Sequence, residues 1–528
     1  MNPTPISLEI FRSTITAIAE EMGVVLTRSS YSPNIKERRD CSCAIFDPHG
    51  RLIAQAAHVP VHLGSMPDSV ASALHHFTSF SPGDVIALND PYAGGTHLPD
   101  ITLITPIFTE EQHLLGFAAN RAHHADVGGM SPGSMPLARE IFQEGIIIPP
   151  IKLWNAGELN EAVMSLLMHN VRTPHERQGD LSAQLAANRT AARRMQEIAI
   201  RWGEDGITTH IEALLAYAER ITRATIATIP NGCYSFADVL DDDGMGTESI
   251  RIAVAITVDD ETVLIDFTGS SAQVTGNLNT VLPVAKSAAY YCLRCLMPDE
   301  TPMNAGTFAP IHVVAPVGTV VNARYPAAVA LGNVETSQRL VDVILGALAQ
   351  ALPDVIPAAS QGTMNNIAAG KSVSTTGEAF TYYETMGGGM GGRPGRDGLS
   401  GIHTHMTNTL NTPIEAFEYA YPMRVVRYAL RTGSGGNGAF RGGDGLVRTI
   451  EFLEPTMATL LSERRITHPY GLHGGEAGAC GKNTLLRDNE TTVLPGKISF
   501  QAQAGDQLSI ATPGGGGWGT TSETAQEA

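Results

Sequence analysis

Residues 89–129 hold the feature that most limits what this chain can become. They contain two apolar runs, ITLITPIF and LLGFAA, separated by a polar turn around residues 110–112. Apolar runs joined by a polar turn predict a β-hairpin. The outer ends of that hairpin carry His and Asp together. Gly94-Gly95-Thr96-His97-Leu98-Pro99-Asp100 precedes the first arm, and Arg121-Ala122-His123-His124-Ala125-Asp126 closes the second. Matched arms set His97 and Asp100 against His123, His124 and Asp126, as imidazoles and carboxylates are set around a divalent cation. Neighbouring strand side chains point to opposite faces, so only one of His123 and His124 can reach a given ion. His123 is favoured, because Asp126 shares a face with His124 in an extended run. His124 then lies behind the ligands or moves protons.

The remaining chain frames this hairpin. At 528 residues it exceeds a single core and predicts roughly two to four domains. An amphipathic helix is expected over 7–28, followed by the strand pair CAIFD and RLIAQAA around a turn at 48–50. A helix over 65–80 and a buried strand, VIALNDP, then lead into the His/Asp loops. Together these form an N-terminal α/β region, residues 1–155. Residues 156–230 are rich in Ala, Leu, Glu and Arg at helical spacing and are expected to be helical. Residues 231–520 read as β-rich with a helix near 335–352, and 521–528 as a loose tail. The expected class is mixed α/β, of the α+β kind.

Three glycine clusters punctuate the last third: GGGMGGRPGRDG at 387–398, GSGGNGAFRGGDG at 433–445 and PGGGGWG at 513–519. None matches the phosphate-cradling G-x-x-x-x-G-K-[ST] pattern. They are read as tight turns and positive φ, some shaping a cleft or a subunit contact. The net charge of −18 argues against a nucleic-acid partner, which needs clustered Lys and Arg. The N-terminus lacks the signal-peptide pattern, and no uninterrupted apolar run of about 18 residues predicts a membrane span. Six cysteines do not make a disulfide framework. A cytoplasmic location is expected.

Several segments together resemble the hydantoinase B / 5-oxoprolinase B family. They are Glu37-Arg38-Arg39-Asp40-Cys41-Ser42, AHVPVHLGSMP at 57–67, NDPYAGGTHLPD at 89–100 and NRAHHADVGGMSPGSMP at 120–136. EGIIIPP at 144–150, GNVETSQR at 332–339 and the glycine segment at 433–445 continue the resemblance over essentially the whole chain. It implies the B component of an ATP-dependent amide-ring hydrolase, acting on a hydantoin, 5-oxoproline or a related lactam. It also implies a metal on the H-x-x-D segment and a later His, with ATP bound by an A-type partner in a hetero-oligomer. The acetone carboxylase metal-binding subunit is a more distant, longer relative. Its carboxylating chemistry is one rival reading, and a non-catalytic scaffold with a structural metal is another.

The expected ligands are His97, Asp100 and His123, with Asp40 as a fourth whose other reading is an ion pair with a neighbouring Arg. Such a set suits Zn²⁺, Mn²⁺ or Fe²⁺. His124 and Asp126 are the candidates to carry a proton to the departing nitrogen. His403 and His405, in GIHTHM beside glycine loops, and Asn333, Glu335 and Arg339, in GNVETSQR, are candidates for substrate or interface contact. Cys292-x-x-Cys295 is expected to pack in a core, and Cys41 and Cys43 are disfavoured as nucleophiles.

Overall fold

The structure, a computed structural model, describes residues 3–56, 59–371 and 379–521. The tail expected at 521–528 lies, from residue 522 on, outside the described residues, as do the first two residues of AHVPVHLGSMP. Thr4 caps the first helix, α1 (Pro5–Ser29): its hydroxyl accepts from the Ser7 amide, and the Ser7 hydroxyl accepts from the Thr4 amide. Phe11, Ile15, Ile18, Met22 and Leu26 recur at helical spacing and are all buried. They lie against Cys41, Cys43 and Ile45 of β1 (Cys41–Phe46), the alternate residues of one strand face. A short α2 (Pro33–Lys36) bridges the two elements.

The first sheet has seven strands in the order β2-β1-β5-β4-β3-β6-β7. Besides β1 these are β2 (Leu52–Gln55), β3 (Val85–Leu88), β4 (Asp100–Phe108), β5 (Leu114–His123), β6 (Ile151–Asn155) and β7 (Glu158–Leu159). Every neighbouring pair is antiparallel. The predicted hairpin is β4–β5, and its register places Asp100 opposite His123. One face is covered by α3 (Ser65–His76), whose Met66, Val70 and Ala73 meet Ala44, Phe46, Ile86 and Phe117. After α4 (Glu161–His169), the long α5 (Pro174–Trp202) and α6 (Glu204–Ile226) pack with α1 on the other face. The stripe of α5 that meets the hairpin includes two buried amides. Gln184 donates to the Ile101 carbonyl and Asn188 to that of Leu103, which fixes the helix to β4.

Beyond residue 230 the chain is β-rich, as expected. A second sheet, ordered β11-β10-β9-β8, comprises β8 (Gly232–Asp242), β9 (Glu248–Asp259), β10 (Thr262–Asp266) and β11 (Ile311–Val314). Helix α7 (Leu282–Arg294), the short α8 (Ala305–Phe308) and α9 (Ser337–Ala351) follow, with α9 packed on β8, β9 and α7. A π-helical turn, Gly332–Thr336, precedes α9 and holds GNVETSQR's Asn333 and Glu335. Two further antiparallel sheets enclose a core of Ile367, Tyr382, Ile450, Phe452, Leu460 and Ile510. One contains β12 (Asn366–Lys371), β13 (Phe380–Glu384), β16 (Thr456–Leu461) and β19 (Lys497–Ala502). The other contains β14 (Met423–Arg431), β15 (Gly445–Phe452), β17 (Lys482–Arg487), β18 (Glu490–Leu494) and β20 (Gln507–Ala511), with α10 (Ile414–Ala420) ahead of it. No helix among the described residues is long and apolar enough to cross a membrane.

The glycine clusters hold positive-φ positions, at Gly395, Gly433 and Gly519, and also pack against one another. Gly389 donates to the Pro513 carbonyl, Gly443 to Met390, Gly515 to Gly443 and Gly392 to Gly516. The three segments therefore lie side by side, backbone against backbone. None of Gly389, Gly443 and Gly515 has a positive φ. What forbids a side chain is proximity: a Cβ on Gly515 would stand 2.1 Å from the Met390 carbonyl oxygen. Gly395 is the opposite case, with φ +80° and nothing within 4 Å of its Cβ position. We expect Gly515→Ala to cost about 3 kcal/mol or more, because backbone must move. Gly395→Ala should cost about 1–2 kcal/mol, the left-handed penalty alone. Urea midpoints of the two variants test the distinction.

Candidate metal centre

Directly opposed residues of an antiparallel pair share a face. The pairing of Asp100 with His123, and of Thr102 with Arg121, therefore turns all four side chains toward α3. Ahead of β4, Gly94 adopts φ +91° with its Cβ position only 2.4 Å from the Asp68 carbonyl oxygen, so glycine is required there. A tight turn follows, the Asp100 amide donating to the His97 carbonyl, and it folds His97 back over Asp100. His97 Nε2 lies 3.2 Å and His123 Nδ1 3.4 Å from Asp100 Oδ1. One ligand atom from each of the three residues lies within 4.8 Å of the others, and all three side chains are buried.

Burial opposes the charge on Asp100, but His97 and His62 beside it, with hydrogen bonds from His123 and His62, hold its carboxyl well below the usual carboxylate range. Burial pushes His123 down, toward the neutral form a metal requires. Both ring nitrogens of His97 and Nε2 of His123 are buried with no hydrogen-bond partner. Leaving such groups unmet costs about 1–3 kcal/mol each. Two imidazoles and a carboxylate are a donor set for Zn²⁺, Mn²⁺ or Fe²⁺, so the residues fit a divalent transition ion.

The other sequence candidates fall around this trio. Asp40 adjoins His123 through the backbone, its carbonyl accepting from the His123 amide, and its charge favours protonated His123. Its carboxylate stands outside the close-set group. His124 alternates to the opposite face with Asn120, where its Nε2 lies 2.9 Å from Gln184 Oε1 on α5. Asp126 accepts from the Arg172 and Thr173 amides and pairs with the Arg172 guanidinium at 3.3 Å. Both side chains are thus engaged with α5 or the segment that leads into it.

The far wall comes from the C-terminal region. The Tyr383 ring stacks on His123 with centroids 4.5 Å apart and planes at 14°, and the Arg38 guanidinium covers Tyr383. The Tyr383 hydroxyl donates to Asn366, whose amide donates to Glu335 Oε1 at 2.8 Å. Burial and the neighbouring Glu463 push the Glu335 carboxyl up to about 7. Asn333 is buried with its Oδ1 unpartnered, while Arg339 lies among Asp238, Asp342 and Glu463. Burial, with Arg38 nearby, takes His403 down to about 4. His405 adopts φ +58° and lies 3.4 Å from the Tyr291 hydroxyl. Burial pushes the Cys41 thiol up to about 12, which removes it as a nucleophile. Cys292 is buried and Cys295 is exposed, and all six cysteines are free.

Four contributors carry no mark in the hairpin pattern: His62, Thr96, Glu144 and Tyr383. Glu144 accepts from the Val329 and Ala330 amides, and burial pushes it up to about 7 despite those donors and the charge of His97. His62, Thr96 and Glu144 lie inside segments that support the family resemblance, which is their available signal. Tyr383 has none.

Residues 4–521 match the Hydantoinase B/oxoprolinase family. The chain belongs to this family. It is 42% identical to an uncharacterised protein of Methanocaldococcus jannaschii, covering 98% of this chain and 91% of that one. It is 41% identical to 5-oxoprolinase 1 of Arabidopsis thaliana, covering 98% of this chain but only 42% of that enzyme. A putative D-/L-hydantoinase, B component, of a Pseudomonas species is 34% identical over 99% of this chain and 91% of its own length. Among solved structures, the ATP-dependent caprolactamase of Pseudomonas jessenii superposes with a TM-score of 0.92 at 28% identity, covering 99% of this chain and 93% of that one. Acetone carboxylase shares the fold, with a TM-score of 0.89 at 18% identity over 98% of this chain and 76% of its own.

Burial takes His124 down to about 4 from its ordinary 6.5. The unfolded chain then binds more protons than the folded one between those values, so stability present above pH 6.5 is lost as pH falls toward 4. In metal-free protein, His124→Gln should flatten that acid-side fall, measured as urea unfolding free energy across the same pH range.

Proposed function

We propose that this chain is the metal-bearing B-type component of an ATP-dependent cyclic-amide hydrolase, opening a hydantoin, 5-oxoproline or related lactam ring. The observation that carries the reading is the buried His97–Asp100–His123 trio. Family membership and the likeness to an ATP-dependent caprolactamase over nearly the whole chain support the reaction class. A bound divalent ion, Zn²⁺, Mn²⁺ or Fe²⁺, would polarise the ring carbonyl or lower the pKa of a water. Three protein donors leave a position for water or substrate, which favours a catalytic over a structural ion.

The chain's own residues then do the positioning. Asp100 keeps its negative charge at the hairpin mouth, and His97 and His123 both face the same oxygen, at 3.2 and 3.4 Å. Tyr383 backs the His123 ring and keeps water from behind it. Glu335 and Glu144, both with carboxyls near 7, are the buried acids on this side of the sheet suited to exchange a proton at neutral pH. We assign His124 and Asp126 to support of the α5 side rather than to the proton path.

We place ATP on an A-type partner protein, in a cytoplasmic hetero-oligomer. The glycine clusters are packed against one another and do not form an open phosphate cradle. A two-component arrangement also accords with the bacterial hydantoinase relative, a B component that this chain spans almost fully. Carboxylation of the acetone carboxylase kind has only the shared fold in its favour.

Purified protein should hold close to one equivalent of a transition metal by elemental analysis, and His97→Ala should lose it. Mixed with its A-type partner and ATP, the parent should open lactam or hydantoin rings, with His97→Ala slower by more than about 100-fold, beyond the usual loss for outer partners. Ring opening by the lone chain without nucleotide would defeat the two-component assignment.

A further inference from the structure

We infer that His62, aligned by Ser42, is a positioning residue that holds one oxygen of Asp100 and so makes that carboxylate a single-oxygen metal ligand. The inference rests on the metal reading of the trio. The two oxygens of Asp100 have separate surroundings. Oδ1 faces His97 Nε2 at 3.2 Å and His123 Nδ1 at 3.4 Å. Oδ2 faces the other way, accepting from the Thr96 hydroxyl at 2.5 Å and lying 3.2 Å from His62 Nε2. With two donors on Oδ2, the ion is left with Oδ1.

The ring of His62 is held at its other end. Ser42 Oγ lies 2.8 Å from His62 Nδ1. For Oδ2 to accept from Nε2–H in a neutral ring, Nδ1 must be an acceptor, and the Ser42 hydroxyl is the donor that satisfies it. The hydrogens thus run in one direction, from Ser42 through His62 to Asp100. The order Ser–His–Asp invites a nucleophile reading, but Ser42 is wholly buried in β1 and the carboxylate is committed to the trio. A hydroxyl that substrate cannot reach serves orientation.

The backbone carrying His62 is tied down independently. It ends a single helical turn, Pro60–His62. The Val61 amide donates to the Met406 carbonyl, and the Gly64 amide to Ser287 Oγ at 2.9 Å. A Cβ on Gly64 would stand 2.8 Å from the Ser287 amide nitrogen, so this loop is pressed against α7. Ser42 pairs across the sheet with Arg121, one residue from Ala122 and two from His123. The strand that carries the metal's far ligand is therefore the neighbour of the strand that aligns His62. Outer partners of this kind usually contribute 10–100-fold to metal affinity.

The test is chelator competition with Zn²⁺ and Co²⁺ on the full chain, with circular dichroism to verify folding. H62A should weaken Zn²⁺ binding by roughly 10–100-fold, and H62Q, which keeps a donor for Oδ2, should recover most of it. In H62A the Thr96 hydroxyl is the one donor left on Oδ2, which then turns toward the ion, so the visible bands of the Co²⁺ adduct should weaken as coordination number rises. Parent-like affinity and spectrum in H62A, with H97A unable to bind, would overturn the role of His62 and leave the trio standing. Binding retained in H97A would overturn the metal reading itself. Should H62A not fold, S42A combined with T96V carries the test, and parent-like affinity in that double variant overturns the proposal.

Discussion

A carboxylate taken fully out of water costs several kcal/mol unless its surroundings answer it. Asp100 is such a carboxylate, and much of the architecture can be traced to how it is answered. Its own hairpin partner brings His123, the turn before it brings His97, and the 60–62 turn brings His62. Thr96 supplies the remaining donor. Three imidazoles and a hydroxyl around one acid demand several chain segments in register, and the antiparallel sheet provides that register readily, because strand pairing sets facing side chains without further machinery.

Much of this is legible in the residues alone. Two apolar runs with a polar turn between them imply β4 and β5, and strand alternation by itself separates His123 from His124. The helical spacing of α1 and of the Ala-rich 156–230 segment is equally plain, since burial there follows a simple stripe. The site's outer parts are hidden because they arise from long-range contact. Tyr383 reaches His123 from a strand of another sheet, and His62 sits in a short turn with no periodicity. No periodicity marks either residue, and only His62 falls in a segment that carries the family resemblance.

The glycine clusters show a different limit. Composition suggests turns, because glycine's freedom at positive φ is its commonest use. In the folded chain the decisive property is the missing Cβ: extended segments approach so closely that carbonyl oxygens occupy the place a side chain would need. Such packing is invisible to single-segment reasoning, since each cluster looks permissive until its two partners are known. It also ties residues 387–398, 433–445 and 513–519 into one unit around the two C-terminal sheets.

The Tyr383–His123 stack bears on the order in which the molecule becomes competent. An N-terminal sheet formed on its own would already contain Asp100, His97 and His123, but the imidazole would stand without its wall. Closing that wall requires docking of a strand far along the chain, a contact of high sequence separation and therefore slow to form. Under the proposed metal reading, nascent chains carry the three side chains before Tyr383 supplies the wall behind His123.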